Sequence, residues 1–395
     1  MNGIAVTLSL ILLLSVVEIW RARRHNHYLR QIPIRVHVNG TRGKSSVTRL
    51  IAAGMRAGGI KTVGKTTGTK PRFIYDDGSE VPVIRAGKPN IIEQVRIVRR
   101  AVQLGAQALV TECMAVTPEL QSVVEDRMIQ STHSVITNAR ADHLDEMGPT
   151  VADVAQNLAR TISRNGKFFT AEQDHLDILS EAAAIRGSEI TVSQADTVDE
   201  KTLKSFSYFE HAENVALALA VCSSFGIDRE TALAGMYATQ PDPGALRIYS
   251  LEVFGKRITF VNAFAINDPD SYKIVWERLA PWIPQGAKTI VILNCREDRI
   301  QRAEQLGELI AKELVADFYI LAGQGTAPVL NKARHLGLAP HRISDLGNKE
   351  AAQIFDRVLE QADGVPVAVY GIGNIVGLGE EIVNYFCSRG TEIVY

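Results

Sequence analysis

The run Val36-His37-Val38-Asn39-Gly40-Thr41-Arg42-Gly43-Lys44-Ser45-Ser46 constrains this chain more than any other segment. An apolar strand is predicted to enter a glycine turn, and Lys-Ser then opens a helix that continues through Val47-Thr48-Arg49-Leu50-Ile51. Such a strand–loop–helix is a phosphate cradle. Glycines let backbone N–H groups point inward, and the helix N-terminus adds positive potential. Lys44 can reach terminal phosphates, and the Ser45 hydroxyl suits Mg²⁺. A chance Gly-Lys-Ser on a surface turn would need neither the strand before it nor the helix after it. The prediction is a nucleoside triphosphate site built from Gly40, Thr41, Arg42, Gly43, Lys44, Ser45 and Ser46.

Bulk properties set the frame. The 395 residues suggest two or three domains, and an apolar fraction of 46% is ample for a core. A net charge of -1 gives no electrostatic case for nucleic acid. The cysteines (Cys113, Cys222, Cys295, Cys387) are scattered without metal-type spacing and fit a reducing compartment. Residues Gly3 to Val17 are apolar or small, Glu18-Ile19-Trp20 follow, and then Arg21-Ala22-Arg23-Arg24. From Met1 to Trp20 this approaches the ~20 residues that a membrane-spanning helix needs. The basic flank would place the remainder on the cytoplasmic side. The expectation is a single-pass anchor over 1–20 and a basic linker over 21–33. A buried helix, or one that pairs with a partner subunit, is the competing reading.

Beyond the linker, strand-like runs at 34–38, 107–111, 133–137, 257–262, 288–293, 317–321 and 365–370 alternate with helical patterns. The helical patterns fall at 45–57, 91–104, 150–163, 211–224, 270–280, 300–314 and 372–387. That alternation predicts an α/β chain with parallel sheets. Pro241-Asp242-Pro243-Gly244 is the natural boundary. It leaves a P-loop ATP-binding domain over 34–242 and a smaller Rossmann-like α/β domain over 243–395.

Further motifs add chemistry. Leu109-Val110-Thr111-Glu112 is a strand ending in a carboxylate, where a Mg²⁺ ligand facing a P-loop is expected. Ser134 to Asp145 holds a second strand running into Thr137-Asn138-Ala139-Arg140-Ala141-Asp142-His143-Leu144-Asp145. Its clustered Asp and His could bind metal, orient a phosphate, or simply cap a polar turn. His211-Ala212-Glu213-Asn214 opens an alanine-rich helix, and Pro243-Gly244-Ala245-Leu246-Arg247 leads into the second domain. Asn267-Asp268-Pro269-Asp270-Ser271 precedes a helix that Asp270 or Ser271 could cap. Asn294-Cys295-Arg296-Glu297-Asp298-Arg299 follows a strand. Tyr370-Gly371-Ile372-Gly373-Asn374 is a lone G-x-G and does not read as a dinucleotide site.

The order of these motifs, from Val36 to about residue 300, resembles the Mur ligase superfamily, which includes folylpolyglutamate synthases. The G-T-x-G-K-S-S loop, the T-N-x-x-x-D-H-x-D segment, the partial N-x-x-A-type helix at Asn214 and the N-D-P-D-S turn carry the likeness. The resemblance implies ATP and Mg²⁺, with Ser45, Glu112 and His143 as metal ligands. It also implies Asn214 near adenine, Asn267 and Asp270 at the nucleotide, and Lys44 and Arg247 at the phosphates. A lysine expected about fifteen residues after His143 is Leu158 here, so another group should substitute for it. No UDP-sugar domain fits before the P-loop. With the expected anchor, the chain is most similar to the ligase subunit of poly-γ-glutamate synthases of bacterial capsules. That implies an ATP-dependent amide ligase, working through an acyl phosphate, that adds glutamate to a growing poly-γ-glutamate chain. It also implies small membrane-protein partners, a membrane anchor and cytoplasmic catalytic domains. The alternatives are a folylpolyglutamate synthase-like ligase and a P-loop ATPase that drives export without making an amide bond.

Overall fold

The computed structural model describes residues 3–393 apart from 69, 70, 86, 88, 143, 242–245, 265, 267, 268, 281 and 282; the side chains of 3–5, 269–271, 274 and 278 are also outside the description. The chain divides into two compact units, the first comprising residues 1–205 with 210–242 and the second 206–209 with 243–395.

The first unit is built on an eight-stranded sheet. Its strands are β1 (Ile34–Asn39), β2 (Thr62–Lys65), β3 (Arg72–Ile74), β4 (Glu80–Pro82), β5 (Ala108–Glu112), β6 (His133–Ile136), β7 (Lys167–Thr170) and β8 (Glu189–Val192). The order is β4-β3-β2-β5-β1-β6-β7-β8. From β2 to β8 neighbours are parallel, whereas β3 and β4 add an antiparallel edge. The sheet is therefore mixed, not purely parallel. The antiparallel strands are three residues each and carry too little periodicity to read in advance. After β1 the chain builds β2 and β5 on one side and then crosses to β6 on the other. That reversal leaves a crevice at the carboxyl ends of β1, β5 and β6, where ligands of open α/β sheets bind.

The N-terminal segment departs from expectation. Helix α1 spans Gly3–Gln31, so residues 21–31 continue the helix and do not form a linker. Among the described residues no helix is long and apolar enough to cross a membrane. The expected single-pass span is therefore not supported. Glu18, Arg21, Arg23 and Arg24 interrupt or follow its apolar stretch. Its large side chains, including Leu8, Leu12, Leu14 and Trp20, are exposed. The far end is docked. His25 Nε2 lies 2.8 Å from the Met128 carbonyl, and Leu29 and Ile32 enter a core with Ile97, Val98, Val124 and Ile129. Arg35 closes the turn by donating to the Leu29 and Ile32 carbonyls at 3.2 and 2.6 Å. A cation on these orphan carbonyls also opposes the negative end of the helix dipole.

The second unit has a seven-stranded sheet. Its strands are β9 (Arg247–Val253), β10 (Lys256–Asn262), β11 (Lys288–Cys295), β12 (Phe318–Gly323), β13 (Ile343–Gly347), β14 (Val367–Gly373) and β15 (Gly390–Ile393). The order is β13-β12-β11-β14-β10-β9-β15, with β9 antiparallel to both its neighbours. Helices 269–279, 300–312 and 327–335 contribute to one apolar cluster, and helices 351–361 and 378–387 to the other. Gly371 and Gly373 serve packing in this unit. A Cβ on Gly371 would meet the Phe264 ring at 2.3 Å, and one on Gly373 would meet the Asn294 carbonyl at 2.4 Å.

Candidate active site

The glycine loop joins β1 to helix α2 (Lys44–Ala57). Gly43 occupies the helix N-cap at φ +79°, a left-handed conformation that side chains resist, and offers no side-chain cap. The first N–H groups of α2 therefore have no intrahelical acceptor and face outward as donors. Space also demands glycine: a Cβ at Gly40 would lie 2.0 Å from Thr137 Oγ1, and one at Gly43 would lie 2.4 Å from Asn214 Oδ1. Lys44 folds back over the loop, donating to the Gly40 carbonyl at 2.6 Å and the Thr41 carbonyl at 3.3 Å.

Glu112 ends β5 opposite Val38 of β1, which carries its carboxylate to the start of α2. Its Oε2 accepts from Ser45 Oγ at 2.9 Å and from the Thr67 N–H at 2.6 Å, and the residue is 2% exposed. Behind it, Gln94 at the start of helix α3 (Glu93–Gln103) donates to the Glu112 carbonyl at 3.0 Å and accepts from Thr111 Oγ1 at 3.1 Å. Lys65 is wholly buried beside this edge, 2.7 Å from Glu93 Oε1. Burial lowers its pKa, and the Glu93 carboxylate opposes that shift.

The segment after β6 clamps the loop. Asn138 Oδ1 accepts from Thr41 Oγ1 at 2.7 Å and from the Arg42 N–H at 3.0 Å; its backbone carbonyl accepts the Thr41 N–H at 3.0 Å. Thr137 donates its hydroxyl to the Arg42 carbonyl, and the Arg140 N–H donates to Thr41 Oγ1 at 3.0 Å. Arg42 Nη2 lies 3.4 Å from Asp142. Glu172 braces the clamp, accepting the Ala139 N–H at 2.6 Å and the Asp174 N–H at 2.9 Å. The sequence motif Thr137–Asp145 contains Asn138 but gave it no role, and no motif contains Glu172 or Thr67. The Thr-Asn pair at the strand end is the local signal for Asn138, and nothing local marks the other two.

Asn214 starts helix α4 (Ala212–Ser223) against Gly43 and donates to Glu210 Oε1 at 2.7 Å. Glu210 also accepts the His211 N–H at 2.9 Å. Ser46 lies in the first turn of α2. His143 and Asn267 lie outside the described residues, and Asp270 is described only as backbone in helix 269–279. Arg247 begins β9 in the second unit and is paired with Glu392 at 3.1 Å. Leu158 is fully buried in an apolar cluster with Val154 and Phe168. Among the described residues there is no group of three or more His, Cys, Asp or Glu placed to hold a metal. The pair Ser45–Glu112 nonetheless offers the all-oxygen donors that hard divalent cations prefer. All four cysteines are free thiols, and burial raises Cys222 and Cys295 to about 12.

Comparison with known proteins shows the family and the fold. Residues 38–240 match the Mur ligase middle domain, and residues 248–389 match the poly-gamma-glutamate synthase CapB C-terminal domain. The chain is 40% identical to a capsule biosynthesis protein CapB of Bacillus anthracis, across 94% of this chain and 80% of that protein. It is 35% identical to the PGA synthase CapB of Bacillus subtilis, across 93% of this chain and 94% of that protein. Among solved structures, a bifunctional folylpolyglutamate synthase/dihydrofolate synthase of Yersinia pestis, complexed with AMPPNP and a Mn ion, shares the fold. It aligns at TM-score 0.65 and 17% identity, covering 92% of each chain.

Proposed function

The chain belongs to the CapB poly-γ-glutamate synthase family, built on a Mur ligase middle domain, and it is an ATP-dependent amide ligase that adds glutamate; from that premise we propose that residues 40–46 and Glu112 form its phosphate and cation site. The observation that carries the reading is the Ser45 Oγ–Glu112 Oε2 contact of 2.9 Å at the mouth of the glycine loop. It sets a hydroxyl and a buried carboxylate beside the open N–H groups of α2.

In this reading the loop N–H groups and Lys44 receive the β- and γ-phosphates, and Asn214 stands on the base side. Ser45 and Glu112 would hold a divalent cation, Mg²⁺ in the cell, which when bound neutralises phosphate charge. The terminal carboxylate of the acceptor chain attacks the γ-phosphorus, so ADP leaves and an acyl phosphate forms. The glutamate amine then attacks the acyl carbon, expelling inorganic phosphate and losing a proton as the amide forms. Two anionic reactants must meet beside a triphosphate. Lys44 and the helix N-terminus offset that repulsion, and the clamped loop holds them in place. The exposed apolar side chains of α1 serve as a contact for membrane-embedded partner subunits and not as a span of their own.

The test is ADP release with Mg²⁺-ATP across a panel of amino acids, with γ-linked product read by mass spectrometry. Release stimulated by glutamate alone, with lengthened product, is expected. Release indifferent to every amino acid would indicate an ATPase that drives export.

A further inference from the structure

A cavity of about 520 Å³ lies in the first unit, away from the glycine loop, between the segment after β4 and one face of α3. Glu93, Arg96, Ile97 and Arg100 line it from the helix, at the i, i+3, i+4, i+7 spacing of a single face. Arg85, from the segment after β4, lines it as well. The chain as a whole carries a net charge of -1, so three arginines against one glutamate is a local concentration of positive charge.

That lone carboxylate is already committed. Glu93 is bonded to Arg85 at 2.7 and 3.2 Å, and buried Lys65 pairs with it at 2.7 Å. Arg96 is exposed and has no ion pair among the described residues. Arg100 is held over the Phe73 ring at 4.2 Å and donates to the Tyr75 hydroxyl, so its guanidinium is fixed without a carboxylate. The floor between these cations is apolar Ile97, 4% exposed, and Ile84 and Ile92 add exposed apolar side chains at the edge, 91% and 54% exposed.

We infer that this groove binds the growing polymer itself, a chain of carboxylates separated by methylene pairs. Each γ-linked unit presents one carboxylate to a cation and two methylenes to the apolar floor. Arg96 and Arg100 are separated by about 6 Å along the helix axis. An extended γ-linked repeat of five backbone bonds advances a similar distance, roughly 6 Å. A nucleic acid strand would bring polar sugars to the same floor in place of methylene pairs. The helix that lines the groove also braces the site from inside: the residue after Glu93 is the buried Gln94, which donates to the Glu112 carbonyl at 3.0 Å. The inference rests on the ligase reading for the identity of the polymer.

The experiment measures binding without turnover. Fluorescently labelled γ-linked glutamate oligomers, short and long, are titrated with the full-length protein, and anisotropy is read at low and high salt. Arg96→Gln is expected to weaken the long oligomer about three- to tenfold, as loss of one charged contact should. Arg96→Glu should weaken it further, and both effects should shrink for the short oligomer and at high salt. Arg334→Gln, an exposed arginine of the second unit, should bind as the wild type does. Equal binding of the long oligomer by Arg96→Glu and wild type overturns the inference. So does an equal loss in Arg334→Gln, which would mean undirected attraction of a polyanion. Glutamate-dependent ADP release by the wild type is a separate readout, so failure of the ligase reading is distinguishable from failure of the groove.

Discussion

Replacing Asn138 separates the structural role of the loop clamp from its electrostatic setting. Asn138→Ala removes two acceptor contacts, from Thr41 Oγ1 at 2.7 Å and from the Arg42 N–H at 3.0 Å, and leaves the backbone bond to Thr41 intact. At about 0.5–1.5 kcal/mol for each bond, the loss is about 1–3 kcal/mol. For a unit of this size that lowers the melting temperature by roughly 2–4 °C for each kcal/mol. Asn138→Asp keeps an acceptor oxygen in the same position and loses only the long Nδ2 contact to the Arg42 carbonyl at 3.4 Å, so it should melt above Asn138→Ala and recover all but about 1 kcal/mol of the wild-type stability. It also adds a negative charge beside the phosphate site. At ~8 Å and an effective dielectric near 20, each unit charge opposes it by about 2 kcal/mol. ATP affinity should then fall at least about tenfold. The two variants are compared by scanning calorimetry and by titration calorimetry with ATP. If Asn138→Asp melts as low as Asn138→Ala, the acceptor bonds are not what holds the loop. If it binds ATP as wild type does, the phosphates do not lie where the loop places them.

Glu112→Gln preserves shape and removes charge; the divalent-cation titration of ADP release should shift to at least about tenfold higher concentration, and an unmoved midpoint would take Glu112 out of the cation site. The buried pair of His37 with Glu125, 2.7 Å apart, sets a pH dependence. Burial opposes the charge on His37, but the adjacent Cys113 and Glu125 prevail and raise it from 6.5 to about 10. A raised folded-state pKa means that the pair's stabilisation is complete below about 6.5 and fades as pH rises toward 10. Urea unfolding of wild type and Glu125→Gln should therefore differ most below about pH 6.5 and converge as pH rises toward 10; parallel curves would contradict this. Deleting residues 1–20 leaves His25, Leu29 and Ile32 in place, so the first unit should still fold by circular dichroism. Co-purification with the membrane partners should be lost, and its persistence would assign that contact elsewhere.

What could be read in the sequence was local. A glycine loop between an apolar strand and a helix is contiguous, and Glu112 marks itself as a carboxylate that ends an apolar run. Most central strands and their helices follow from the same kind of pattern. What could not be read depends on residues brought together from afar. Asn138 meets Thr41 across 97 positions, and Thr67 meets Glu112 across 45. The fate of Arg21–Gln31 was hidden for another reason. Its buried residues, His25 and Leu29, sit among polar ones and, with Ile32 just beyond, find their partners on α3 and near Met128. Composition alone therefore read that stretch as a linker. The groove on α3 was missed because its arginines look like a solvated helix face until β4 and its following segment are set against them.

The brief return of residues 206–209 to the second unit has a practical consequence for dissecting the protein. The chain passes from one unit to the other at 205/206, 209/210 and 242/243, and Phe209 packs against the second unit's apolar cluster. A fragment starting at 243 would leave that cluster without one of its covering rings. Cutting at the proline-rich boundary thus yields two incomplete pieces. Studying the second unit alone calls for a circularly permuted or tethered design that carries 206–209 with it, and a protease acting only at 242/243 should leave a nicked complex that does not separate.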